Sequence, residues 1–205
     1  MSIVKLNNRG VKNATAFGSI TGLGSMKFIK KLTASSSATL SFVDGASGVV
    51  LDNTYKEYLF TFKNIHPSTA SELSFNLSID SGSNYNVTKT STAFTAGHNE
   101  ADSDAYVVYN TSRDLAQGTG FQEFTANIGT DNDGSANGYL HLFNPSSTTF
   151  VKHFMSRVNY NEQSTYSNEH YIAGYGNTTS AVDAVQFKFV SGNIDAGDIC
   201  LYGIA

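Results

Sequence analysis

A chain of 205 residues with a formal net charge of −4 is long for one domain and short for two, a size that all-β sandwiches often reach. Only 15% of its residues are charged, and Tyr, Phe, Gly and hydroxyl side chains are plentiful, so composition leans towards β-structure and a neutral, hydroxyl-rich surface. No apolar run approaches the ~20 residues that cross a bilayer, and the single cysteine, Cys200, excludes an intrachain disulfide.

The charge is unevenly placed. Residues 1–31 hold Lys5, Arg9, Lys12, Lys27, Lys30 and Lys31 and no acid, while all 17 acids lie beyond them. A basic segment ahead of an acidic body suits docking on an acidic neighbour. Residues 1–25 read as an arm, with Ile3, Val4 and Leu6 as an apolar foot and Gly10, Gly18, Gly22 and Gly24 interrupting any regular element. The start, MSIVKLNNRG, lacks the apolar run of a secretory signal, and synthesis in a reducing cytoplasm is expected.

From Met26 the chain alternates. Met26–Leu32 reads as the first strand, and SSSATLSFVDGASGVVLDN as a hairpin turning at Asp44-Gly45 or Ser47-Gly48. In 55–65, Tyr58, Phe60, Phe62 and Ile65 mark the core face, with a slip near Asn64. The segment to Asp80 puts Leu73, Phe75, Leu77 and Ile79 inward and Ser74, Asn76 and Ser78 outward. The polar join between these two runs predicts an antiparallel pair. Strands follow at 85–94 and 106–109, separated by the acidic loop Gly97–Asp104. Further strands are expected at 121–128, 139–143, 150–160, 170–175, 182–190 and 199–204. Eleven to thirteen short strands without a convincing amphipathic helix predict an all-β, antiparallel β-sandwich of the jelly-roll kind spanning 26–205, behind the arm 1–25. Such a sandwich must protect its open edges, and trimer formation is one way to do so.

No catalytic motif is present: G-x-S-x-G, the phosphate-binding G-x-x-x-x-G-K-S/T and H-E-x-x-H are all missing from the sequence. The five histidines are scattered. Asp131-Asn132-Asp133-Gly134 opens like a calcium loop, but Leu142 stands where the closing acid is required. The chain is therefore read as non-enzymatic, without metal or cofactor. Nucleic-acid binding does not suit an acidic body with no basic-aromatic interleaving. Tyr106, Tyr109, Tyr160, Tyr166 and Tyr171 lie in or beside expected loops, where exposed rings could stack on a host-surface glycan; rings closing the ends of a sandwich are the plainer alternative.

Four stretches together carry a family likeness: VKLNNRGVKNATAFGSI, IKKLTASSSATLSFVDGASGVVLDNTYKEYLFTFKNIHPST, LHLFNPSSTTFVKH and SGNIDAGDICLYGIA. The chain resembles virion structural proteins of marine tailed bacteriophages over nearly its whole length. The resemblance implies a non-catalytic virion component made in the bacterial host cytoplasm. It transfers no functional residues. Joined to the residue pattern, it leads to the expectation of a surface-exposed capsid decoration, cement or head-fibre protein. Such a protein would be a homotrimer docking on capsid or tail proteins through its basic arm. The alternative is a receptor- or glycan-binding module at a tail or fibre tip, and copy number per virion separates the two.

Overall fold

The computed structural model describes residues 26–162 and 165–205; the expected arm, with Lys5, Arg9 and Lys12, lies outside them. The described residues form twelve strands and no helix. These are β1 (Met26–Thr33), β2 (Leu40–Val43), β3 (Glu57–Pro67), β4 (Leu73–Ser78), β5 (Lys89–Asn99), β6 (Ala105–Tyr109), β7 (Gln122–Glu123), β8 (Ala136–Phe143), β9 (Lys152–Glu162), β10 (Tyr166–Gly176), β11 (Ala184–Phe189) and β12 (Ile194–Ile204).

They build two antiparallel sheets packed face to face. The larger has the order β1-β12-β3-β8-β9-β10-β5-β6 and the smaller β2-β11-β4-β7. This unequal sandwich of eight strands against four differs in count from the eight-strand double sheet of a simple jelly roll. Apolar alternation drives the packing, since each strand sends every second side chain to the shared interior. Phe187 of β11 is the hub, with ring centroids 5.4 Å from Phe60 and 5.3 Å from Phe62 on the opposing β3. Phe75 of β4 stacks on Phe124 at 4.9 Å and meets Phe154 of β9 edge-on at 5.1 Å. The smaller sheet thus covers the β3–β8–β9 region and reaches β5, where the Ser91 hydroxyl donates to Gln122 Oε1 of β7 at 2.6 Å.

The inward faces expected for 55–65 are observed: Tyr58, Phe60, Phe62 and Ile65 are all buried. The slip is real. Asn64 takes a positive φ of 49° and the β3–β8 register shifts between Phe62 and Ile65. Opposite it, Gly197 sits at φ 114°, where a Cβ would come within 2.5 Å of the Asn64 carbonyl oxygen, so only glycine fits the bulge.

Three expectations are corrected. The runs at 57–67 and 73–78 do not pair: β3 lies between β12 and β8 in the large sheet, whereas β4 lies between β11 and β7 in the small one. The polar join crosses between sheets. Nor does 35–53 make a hairpin, because β2 pairs with β11 and the segment after it has no partner strand. In β4 the outward set is buried as well: Ser74, Asn76 and Ser78 are 0% exposed, while Ile79 is exposed. Loop carbonyls explain this. Asn76 Nδ2 donates to Tyr85 O at 2.6 Å and to Thr119 O at 3.0 Å, so the neighbouring loops roof the strand and satisfy its polar side chains.

Candidate functional site

Cross-strand register brings together side chains that are far apart in sequence on the outer face of the large sheet. One transverse row runs His141, Met155, Ala173, Thr92, set by the pairings His141↔Met155, Met155↔Ala173 and Ala173↔Thr92. A second runs Tyr139, Arg157, Tyr171, Phe94, Tyr109. On the far side of the first row lie Phe143, His153 and Tyr175. Small Ala173 and Thr92 therefore sit between two lines of rings, and the sheet surface is depressed there. Two adjoining hollows result, of about 500 Å³ and 210 Å³, meeting at Met155, Ala173 and Thr92.

The walls are pre-organised. Phe94 and Tyr171 stack at 4.6 Å with planes 8° apart, and the Arg157 guanidinium lies 5.3 Å from the Tyr171 ring. Arg157 also pairs with Glu169, which in turn accepts from the Tyr171 hydroxyl at 3.0 Å. The Arg157 hydrogen bond holds the Glu169 carboxyl below its ordinary range, and the bond to Glu169 raises the Tyr171 phenol. The cation of this face is thus neutralised in place. Met155 is 55% exposed, Phe94 43% and Tyr139 38%; a solvent-facing antiparallel sheet ordinarily presents polar residues.

A second, polar recess opens on the inner face of the large sheet. It measures about 390 Å³ and is lined from β5, β6, β9 and β10 by Thr95, Tyr106, Tyr160, Glu162, Asn168 and His170, with Asn110 and Ala126 closing it. Tyr106 lies over Gly97: a Cβ there would fall 2.4 Å from both the Tyr106 ring and Asn168 Oδ1. The Tyr106 hydroxyl donates to Asn168 Oδ1 at 2.9 Å, and Asn168 Nδ2 donates to Glu162 Oε2 at 2.6 Å. Deeper, Ala126 N–H donates to the Tyr160 hydroxyl at 3.0 Å, and that hydroxyl stands 2.9 Å from His170 Nε2. Burial, aided by the Arg113 charge and opposed by the Phe124 carbonyl, pushes the His170 pKa down to about 4. The ring is neutral at pH 7. The Tyr160 hydroxyl can then donate to Nε2, leaving the proton on Nδ1, towards the Phe124 carbonyl.

The tyrosines singled out in the sequence divide between these places. Tyr106 and Tyr160 line the inner recess, and Tyr166 is at its rim, 6.1 Å from Tyr106, with its hydroxyl donating to Asp104 Oδ2 at 2.9 Å. Tyr171 belongs to the outer trough, while Tyr109 sits at the β6 edge and donates to Asp114 Oδ2 at 2.7 Å. Tyr160 is not an exposed loop ring: it is 1% exposed within β9. The supposed polar loop around it is largely strand, because β9 runs to Glu162 and β10 begins at Tyr166.

Of the basic residues, Lys27, Lys30 and Lys31 fall in edge strand β1, where Lys30 Nζ donates to Ser47 O at 3.0 Å and Lys31 pairs with Asp198 at 3.2 Å. Both are engaged within the domain. No group of three or more His, Cys, Asp or Glu among the described residues is placed to hold a metal ion. The sequence reading passed over Phe94, Tyr139 and Met155 as a surface, and His170, Asn168 and Glu162 as a cluster. Comparison with protein-family models, curated proteins and solved structures finds no match.

Proposed function

We propose that the chain is a non-catalytic structural protein of a phage particle, a capsid decoration, cement or head-fibre component that assembles by packing the outer face of its large sheet against another copy of itself. The observation that supports this reading is the aromatic trough flanked by Phe94, Tyr139, Met155 and Tyr171. Leaving so much apolar surface in water is unfavourable, at about 25 cal/mol per Å² that association would remove. A neighbouring copy suits the face because its charge is internally balanced: Arg157 is already paired with Glu169, so the face carries no unpaired charge to repel a partner surface. Trimeric closure would also occupy the open edges, β1 and β6.

In this proposal the basic arm, residues 1–25, attaches the assembly to the particle. Deleting those residues is expected to leave a folded, associated sandwich that no longer joins particles. Quantifying the protein in purified virions, intact against truncated, checks this. Undiminished incorporation of the truncated chain contradicts the docking role, and absence of the intact chain from purified particles contradicts the reading as a whole.

A further inference from the structure

From the inner recess we infer that the domain carries a second, separate site that binds a neutral saccharide ring between β5, β6 and β10. The recess is of small-molecule size, about 390 Å³, within the ~300–1,000 Å³ of such pockets. Its lining selects the chemistry. Thr95, Asn168 and His170 are nearly fully buried yet polar, which suits a ligand rich in hydroxyls rather than a hydrocarbon. No Lys or Arg among the described residues lines it, whereas Glu162 does. Arg113, whose charge reaches His170, is held by Glu72 and Glu123. An anionic ligand therefore meets a carboxylate and no free cation, and is disfavoured.

The arrangement fits a polyol in detail. Glu162 and Asn168 form a hydrogen-bonded pair, the kind of group that engages adjacent hydroxyls as acceptor and donor. The ring of Tyr106, seated over Gly97, contributes an aromatic wall whose position is fixed by its bond to Asn168. The imidazole of His170, neutral at pH 7, closes the floor of the recess beside Tyr160. The site is independent of the assembly proposal, because the outer trough lies on the other side of the same sheet.

Saturation-transfer NMR on the full chain with glucose, galactose, mannose and N-acetylglucosamine, and with sialic acid as an anionic comparison, tests the inference. Transfer to the ring protons of at least one neutral sugar is expected, with none to sialic acid. Tyr106→Ala and Glu162→Gln should each weaken binding by about tenfold or more, the loss of one hydrogen bond to a charged or well-placed group. Met155→Glu, on the outer face, should leave it unchanged. Glu162→Gln is nearly isosteric and settles the matter should Tyr106→Ala fail to fold. The inference is overturned if no neutral sugar shows transfer, if only sialic acid does, if binding is undiminished in Glu162→Gln, or if it disappears in Met155→Glu.

Discussion

His170 shows how one buried residue couples the recess to stability. Its pKa in the folded protein, about 4, lies below the ordinary 6.5. As pH falls from 6.5 towards 4, the unfolded chain takes up a proton that the folded one refuses, so stability is lost across that window; above 6.5 the ring is neutral in both states and costs nothing. A shift of this size corresponds to about 3 kcal/mol once pH is below the folded value. Urea unfolding at pH 7 and pH 4.5 should therefore show a drop in midpoint for the parent that is much reduced in His170→Gln, whose amide can still accept from Tyr160. Equal drops in the two proteins would mean that His170 is not the titrating group. Nothing in the local sequence NEHYIAG signals this burial: the histidine looked scattered because its partners, Tyr160 and the Phe124 carbonyl, come from β9 and a distant loop.

Among the elements, β11 holds the two sheets together. Phe187 meets Phe42, Phe60, Phe62, Phe75 and Phe124, so it bridges rings from both layers. Phe187→Ala should cost about 3–5 kcal/mol of unfolding free energy, the range for removing a fully buried aromatic ring, measurable by urea denaturation at neutral pH. A loss under about 1 kcal/mol would show that the core closes around the gap or that the ring is not central. This strand was fully legible in sequence, since Val185, Phe187 and Phe189 alternate with Gln186 and Lys188 and the former set is buried. Alternation likewise revealed the inward face of β3. It could not reveal pairing. The two-residue period states which side a residue faces but not which sheet its strand joins, so β3 and β4 read as neighbours when they are on opposite layers. It also failed for β4, where loops cover the polar side of the strand and bury both faces.

The whole molecule is an unequal sandwich of eight strands against four, and its large sheet carries both proposed sites. The polar recess lies on its inner face and the trough, dressed in rings, on its outer one. Neither could be read from sequence, because each is assembled by register across at least three strands: Tyr139, Arg157, Tyr171 and Phe94 share a row only through three successive pairings. The sandwich class itself was legible, since it needs only the count and alternation of strands. Light scattering coupled to size-exclusion chromatography, on the parent chain and on Met155→Glu, tests the outer face as an interface between copies most directly. The parent should elute with the mass of three 22.0 kDa chains and the variant, with a carboxylate in the trough, as a folded monomer; a monomeric parent, or a variant that keeps the parent's mass, would contradict it.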